Sequence, residues 1–500
     1  MSAATTVGTV GHNDTVHAAP TVPSLNRRIL SLAVPALGAL VAEPVFVLID
    51  SAMVGHLGTA SLAGLSLAST VLTTTVGLFV FLAYATTATT ARLLGAGRQA
   101  DGLRAGLDGI WLGLVLGAAG AVALAATAPW LVEAMGAQAQ VAQAARSYLW
   151  ASAPGLPGML VVLAATGTLR GLLDTRTPFV VAAAGALLNV VLNAALVYGL
   201  GLGIVGSGAG TALAQTLMAL ALVRPLVRAA RARGVPVAPR RAGLRASLGN
   251  GLPLLVRTLS LRTAILVTVW AATAQGPTAL AAHQVVTAVW NLAAFALDAL
   301  AIAAQALVGT SLGQAEASRA SQPAPARGPS PGAGTEALAD PQHGRWAETS
   351  REEAIWQVDD VLRRTLAWGV VTGTGIGMVV AVSSPWLPRL FTSESAVVLT
   401  AVPSLLVAAS AMPLAGAVYL FDGVLMGAGD GRYLARAGLM TLVPYVPLAI
   451  VVSRTWPADD LGSSVPAPGL LWLWVAFAWV FMGARAVTTG LRTRGSAWRR

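Results

Sequence analysis

The 500-residue chain has no cysteine and no lysine, and only 11% of its residues are charged. Without cysteine there are no disulfides and no thiolate chemistry. Soluble domains carry roughly 25% charge, so a chain this poor in it does not read as one. The residues up to about Pro23 lack the charged start and apolar core of a signal peptide and are expected to be a disordered tail. A membrane-embedded enzyme would need a nucleophile with its base, or a cluster of metal ligands. No His/Glu or Ser/Lys constellation stands out, so the chain is not expected to be an enzyme and no cofactor is expected.

What is present is apolar length. Hydrophobic residues make up 55% of the chain and the mean hydropathy is +0.70. Apolar runs of about 20 residues recur, each long enough to cross a bilayer core of roughly 30 Å. Twelve are expected, at about 29–54, 61–91, 106–128, 141–165, 178–200, 205–229, 248–273, 279–311, 361–384, 396–426, 434–453 and 469–490. These are continuous runs, not the dyad alternation of a β-barrel, so the fold class is an all-α membrane protein.

The chain also repeats itself. Gly167-Thr-Leu-Arg-Gly-Leu-Leu-Asp-Thr-Arg176 returns as Gly423-Val-Leu-Met-Gly-Ala-Gly-Asp-Gly-Arg432, a separation of 256. Earlier matches lie 218 apart: Pro35/Pro253, Gly58/Gly276, Ala88/Ala306 and Gly95/Gly313. The difference of 38 points to an insertion, and residues 314–351, rich in Pro, Ala, Gly, Ser and charge, read as a disordered one. The expected organisation is a tail at 1–23, a first lobe of six spans at 24–230 and a basic inter-lobe loop at 231–247. A second lobe of six spans follows at 248–491, and a basic tail at 492–500. In an apolar chain such duplication suits a two-lobed transporter.

The formal net charge of +11 comes from arginine alone, crowded into alternate loops. Arg27-Arg28, the Arg92–Arg104 group, Arg170 with Arg176, and Arg224 through Arg245 belong to one set, with Arg389 and Arg454 the main exceptions. This is the positive-inside pattern; it places both termini in the cytoplasm and the lobes in the cell (plasma or inner) membrane. The basic balance therefore needs no nucleic-acid partner.

Polar groups inside the spans carry the functional signal, because a charge at mid-membrane calls for a partner or a function. Asn189 and Asn193 are four apart and share a helix face. Asp50 maps onto Thr268 in the second lobe, and Asn189 and Asn193 map onto Tyr445 and Ala449, so this polar cluster is not a demand of the fold. Glu43, Gln284, Asp298 and Asp422 are the other candidates and are expected to line a substrate cavity. Asp298 and Asp422, by contrast, have no acidic counterparts in the first lobe, where the matching positions are Val80 and Thr166; a salt bridge with Arg257 is the competing role. Asp174 and Asp430, being repeated, read as turn residues.

Pro35-Ala-Leu with Val47-Leu-Ile-Asp50-Ser-Ala-Met-Val-Gly55-His-Leu-Gly58 resembles the first helix of multidrug and toxic compound extrusion (MATE) transporters. Leu188-Asn-Val-Val-Leu-Asn193 and Gly206 to Gln215 sit where that family has related segments. Asp298 to Gly309 and Asp422 to Asp430 look like its DinF-like branch, and the resemblance runs from about Asn26 to Gly483. It implies a V-shaped pair of six-helix bundles related by pseudo-twofold symmetry. It also implies a monomer in the lipid bilayer that exports small organic cations in exchange for H⁺ or Na⁺. Pro35 would be a bend in the first helix, Asp50 the coupling acid, and Asn189, Asn193 and Thr211 lining of the same cavity. The family often has acids where this chain has Asn193 and Gln305, which favours H⁺ over Na⁺. The alternative is a lipid-linked precursor flippase of the same broad fold group. A carboxyl among apolar helices has its charged form disfavoured, so it can exchange a proton with either side of the membrane if access alternates.

Overall fold

The computed structural model describes residues 24–320, 341–456 and 467–499, with backbone alone over 341–357. Among the described residues twelve helical spans are long and apolar enough to cross a membrane, eleven as single helices and one as a bent pair. They are α1 (Leu25–Gly55), α2 (Thr59–Gly95), α3 (Gln99–Ala134), α4 (Ala139–Gly171), α5 (Arg176–Gly199) and α6 (Gly203–Ala232). The second six are α7 (Arg241–Ala274), α8 (Pro277–Ala320), α9 (Pro341–Ser383), α10 (Ser395–Ser410 and Met412–Gly427, bent by 51°), α11 (Gly431–Thr455) and α12 (Pro468–Arg494). In lipid, backbone groups have no water to turn to, so helices are the economical solution for runs like these. Their hydroxyls are dealt with the same way: Thr87 Oγ1 donates to Ala83 O at 2.8 Å and Thr365 Oγ1 to Val361 O at 2.7 Å.

The repeat is visible in the helix ends. Thr59 and Pro277, which start α2 and α8, are 218 apart; α4 and α10 begin at Ala139 and Ser395 and end at Gly171 and Gly427, both 256 apart. Gly58 and Gly276, the equivalent turn residues, both adopt positive φ, at 117° and 98°. The turn after α4 closes with Asp174 N donating to Leu169 O at 2.9 Å; after α10, Asp430 N donates to Leu425 O at 2.9 Å. The left-handed residue in that turn is Gly429 (φ 74°) in the second lobe but Leu173 (φ 63°) in the first. Leucine there is strained, since its Cβ crowds the following carbonyl.

The pseudo-twofold axis can be located from glycines. A methyl on Gly95 would strike the Thr310 carbonyl oxygen, and one on Gly313 would strike the Arg92 carbonyl oxygen. Gly95 and Gly313 are equivalents, and so are Arg92 and Thr310, so these are two images of one contact. The axis passes between Ala91 and its equivalent Gly309, where an added Cβ would sit 2.9 Å from the Ala91 Cβ. Here α2 and α8 cross on the arginine-rich face, and Arg92 pairs with Glu316 of α8. The main hydrophobic core accordingly joins first-lobe residues such as Leu82 and Leu169 to second-lobe residues Leu307, Leu425 and Trp498. A second core, built around Trp290, Tyr445, Trp474 and Phe477, belongs to the second lobe alone.

The chain between lobes is strapped to α3. Arg104 donates to the carbonyls of Pro236 and Ala238 (2.7 Å to the latter), Trp111 Nε1 donates to Val237 O at 2.8 Å, and Arg240 pairs with Asp108 at 2.9 Å. The extended residue Arg240 (φ −122°, ψ 130°) leads directly into α7. The free part of the expected loop at 231–247 is therefore short, because helix already occupies its two edges.

Two more expectations change. Residues 314–320 and 341–351, assigned to a disordered insertion, are helical: α8 continues through Gln314-Ala-Glu-Ala-Ser-Arg-Ala320, a run of strong helix formers, and α9 begins at Pro341. The tail at 1–23 and the insertion's centre at 321–340 lie outside the described residues. The bend expected at Pro35 is not a break in this conformation, since α1 continues through both Pro35 and Pro44.

Candidate functional site

The polar residues of the first lobe meet around Asp50. Near the C-terminal end of α1 and only 3% exposed, its carboxylate accepts hydrogen bonds from neutral donors only. Asn193 Nδ2 lies at 2.7 Å and Ser207 Oγ at 2.5 Å from Oδ1, and the Tyr148 hydroxyl at 3.5 Å from Oδ2. Among the described residues no arginine pairs with it. Asn193 Nδ2 also reaches Asn189 Oδ1 at 3.1 Å, and the Tyr148 hydroxyl is 3.4 Å from Thr211 Oγ1. Asp50, Asn189, Asn193 and Thr211 are thus one network contributed by α1, α5 and α6, with Tyr148 of α4 at its centre.

Local structure aims these groups. The spacing of four sets Asn189 and Asn193 on one face of α5, and immediately after them the helix widens, with Leu200 N donating to Ala195 O at 2.8 Å. Such π-turns often occur at functional positions. Gly210 has no side chain in the space that Asn193 Oδ1 occupies. Asn193 Oδ1 and Asn189 Nδ2 have no hydrogen-bond partner among the described residues, so the network holds unused capacity. An amide that donates to a carboxylate can instead accept from a protonated one.

The network opens on a cavity of about 260 Å³. Asp50, Tyr148 and Thr211 line one part of it, and Tyr84, Arg170 and Asp298 another, with Glu43 between along α1. The walls are apolar, including Leu72, Val76, Met159, Leu163 and Met218. Asp298 comes from α8, so the second lobe contributes an acid to a cavity otherwise walled by the first. Glu43 faces this space and pairs with neither Arg257 nor Arg262. Among the described residues no group of three His, Asp or Glu side chains gathers as a metal site.

Gln284 and Asp422 are not part of the cavity. Gln284 is exposed on α8 away from the lining. Asp422 is 4% exposed and held by Arg257 at 2.6 Å and by Arg485, so its charge is already committed within the second lobe. Arg257 also sits 6.0 Å over the Tyr84 ring, across the lobe boundary. Gln305 Nε2 crosses the same boundary to Tyr84 O at 2.8 Å.

Tyr148, Ser207 and Arg170 were not singled out by sequence reasoning. For Ser207 a signal exists: it is one helical turn before Thr211 and so shares its face. Arg170 reads from sequence as a loop arginine but lies inside α4.

The second lobe shows what the site becomes without an acid. Thr268, equivalent to Asp50, and Tyr445, equivalent to Asn189, hydrogen-bond each other through their hydroxyls at 2.5 Å, both buried. Trp290, Trp474, Phe477 and Phe481 fill the space around them, with ring centroids 5.3–6.1 Å apart in the Tyr445 contacts. One lobe holds an acid beside a cavity; the other holds a neutral pair beneath an aromatic plug.

Comparison with known proteins bears on the fold and the family. The family model MatE matches residues 35–195. Protein DETOXIFICATION 44, chloroplastic, of Arabidopsis thaliana is 29% identical over 96% of this chain and 85% of its own length. The probable multidrug resistance protein NorM of Thermotoga maritima is 24% identical over 58% of this chain and 63% of its own. Among solved structures, the MATE transporter VcmN of Vibrio cholerae has the same fold, with a TM-score of 0.77 at 19% identity, covering 95% of this chain and 98% of that one.

Proposed function

The chain belongs to the multidrug and toxic compound extrusion family of multi-pass membrane transporters, and from that premise we propose that it exports amphipathic organic cations in exchange for H⁺, with Asp50 as the proton-binding residue. The observation that carries this reading is a buried carboxylate with neutral partners only, on the wall of a largely apolar cavity. An acid already neutralised by arginine would be committed to structure, as Asp422 is. Asp50 is free to change its charge.

Protonation would reverse the network. The carboxyl becomes a donor, the Asn193 amide can turn to accept, and Ser207 and Tyr148 can redirect their hydroxyls. Protonation also removes the negative charge that attracts a cationic substrate, so proton and substrate compete for one carboxylate and would alternate in the lobe. With one H⁺ entering against one monovalent cation leaving, no net charge moves. Each pH unit would supply about 1.4 kcal/mol, roughly a tenfold substrate gradient. A single carboxylate among neutral groups suits H⁺ better than Na⁺, which several charged oxygens would hold. This reading takes both termini to be cytoplasmic and the protein to act as a monomer in the cell membrane, and the arginine-rich loops support that orientation.

The test is ethidium efflux from proteoliposomes with an imposed pH gradient, and separately with a Na⁺ gradient. Asp50→Asn should abolish the pH-driven flux, while Thr268→Val, the equivalent change in the second lobe, should leave its pH dependence intact. Undiminished pH-driven efflux by Asp50→Asn would refute the coupling role.

A further inference from the structure

Arg170 is the one group in the cavity that export of simple cations leaves unexplained. It lies next to the last residue of α4, is 7% exposed and lines the cavity. Its Nε is buried with no hydrogen-bond partner among the described residues. Asp298, on the same cavity wall, forms neither a hydrogen bond nor an ion pair with a described residue. A buried N–H left in this state is costly, because it gives up water without gaining an acceptor.

The charges around it explain why. Arg257 and Arg485 both bind a single oxygen of Asp422, which uses up that acid. Asp298 is the remaining carboxylate of the group. Three guanidiniums therefore face two carboxylates, and this part of the lobe boundary carries one positive charge in excess. Along α1 the balance is opposite. Glu43 and Asp50 are seven residues apart, hence on one helix face and roughly 10 Å along the axis, and among the described residues neither pairs with an arginine. Topology separates the two ends: α1 rises from the arginine-rich face and carries Asp50 near its far end, whereas α4 returns to that face and carries Arg170 at its close. Arg170 is thus the one arginine in the cavity lining, set toward the membrane face opposite Asp50 with apolar walls between, and Asp298 is the acid on its side.

We infer that Arg170 is a specificity-determining residue that receives an anionic group, and that the cavity takes zwitterionic amphiphiles whose carboxylate sits on Arg170 while the cationic part lies toward Glu43 and Asp50. This deepens the proposed export function and rests on it. The planar fork of arginine fits a carboxylate through two parallel hydrogen bonds, which lysine at the same position would not reproduce.

A matched pair of dyes tests it. Rhodamine 110 carries a free carboxylate, and rhodamine 123 is its methyl ester, so the two share one cationic ring system. Each is titrated against the purified full chain in detergent by fluorescence anisotropy at neutral pH. The wild type should bind rhodamine 110 about tenfold or more tighter than rhodamine 123. Arg170→Gln should weaken rhodamine 110 by roughly 10- to 100-fold and leave rhodamine 123 within about twofold. Arg170→Lys should restore only part of the loss. Equal binding of the two dyes by the wild type overturns the inference, as does an Arg170→Gln variant that weakens both alike, which is the mark of a merely structural arginine. The wild-type comparison needs no variant and decides the question even where Arg170→Gln does not fold. If neither dye binds the wild type, the organic-cation reading of the cavity falls, and this inference with it; equal binding of both removes only the inference.

Discussion

The reciprocal contacts at Gly95 and Gly313 allow a quantitative prediction. Replacing either glycine by alanine puts a methyl on a carbonyl oxygen of the opposite lobe, Thr310 in one case and Arg92 in the other. A helical backbone carbonyl cannot rotate away as a side chain could, so α2 and α8 must move apart. Overpacking of this kind costs about 1–3 kcal/mol, charged only against the conformation in which the lobes are closed on the arginine-rich face. At the middle of that range, about 2 kcal/mol, the open conformation gains roughly thirtyfold relative to the closed one. The absence of cysteine makes this measurable without prior mutation of the chain. Ala88 lies at the crossing, 8% exposed, with its carbonyl 3.6 Å from where a Gly309 methyl would sit. In an Ala88→Cys background, labelling by a membrane-impermeant maleimide from the arginine-rich side should accelerate about tenfold or more with Gly95→Ala. Gly313→Ala should give the same acceleration, because the two sites are images of each other. Unchanged rates in both variants, or a large effect in one and none in the other, would refute the placement of the axis.

Two further outcomes concern stability. Asp422→Asn leaves Arg257 and Arg485 without their shared charge, and breaking a buried ion pair in this way should cost about 3 kcal/mol or more; tryptophan-detected thermal unfolding in detergent should show a lower midpoint, and an unaltered one would mean the pair is dispensable. Leu173→Gly should relieve left-handed strain and stabilise by about 1 kcal/mol, whereas Gly429→Leu at the equivalent turn should destabilise by about 1–2 kcal/mol; both follow from the same melting curves, and shifts of the same sign would contradict the equivalence of the two turns.

The twelve spans and their duplication were legible because apolar length and turn residues are one-dimensional signals. Gly58 and Gly276 can be matched without knowing where either helix points. Asp50 and the two asparagines were legible for a different reason: the second lobe serves as a control, and Thr268 and Tyr445 show that the fold tolerates their absence. What stayed hidden depends on partners distant in sequence. Polarity within α10 says that Asp422 needs a counter-charge, but Arg485 lies two helices later, and nothing in the local pattern distinguishes a committed acid from one open to a ligand. Tyr148 and Ser207 look like ordinary packing residues, because hydroxyls in apolar helices usually bond to their own backbone. Arg170 stands at the border between span and loop, where counting arginines locates a membrane face but does not say which way a guanidinium turns.

The pinned segment from Pro236 to Arg240 has a mechanical corollary. A leash fixed along α3 by Arg104, Trp111 and Asp108 has no slack, and α7 begins at the very next residue. With so short a free segment, rotation of one bundle against the other falls on the backbone dihedrals of Arg240 and Arg241, which flank a planar peptide. The inter-lobe connection behaves less as a cord than as a hinge pin mounted on the first bundle.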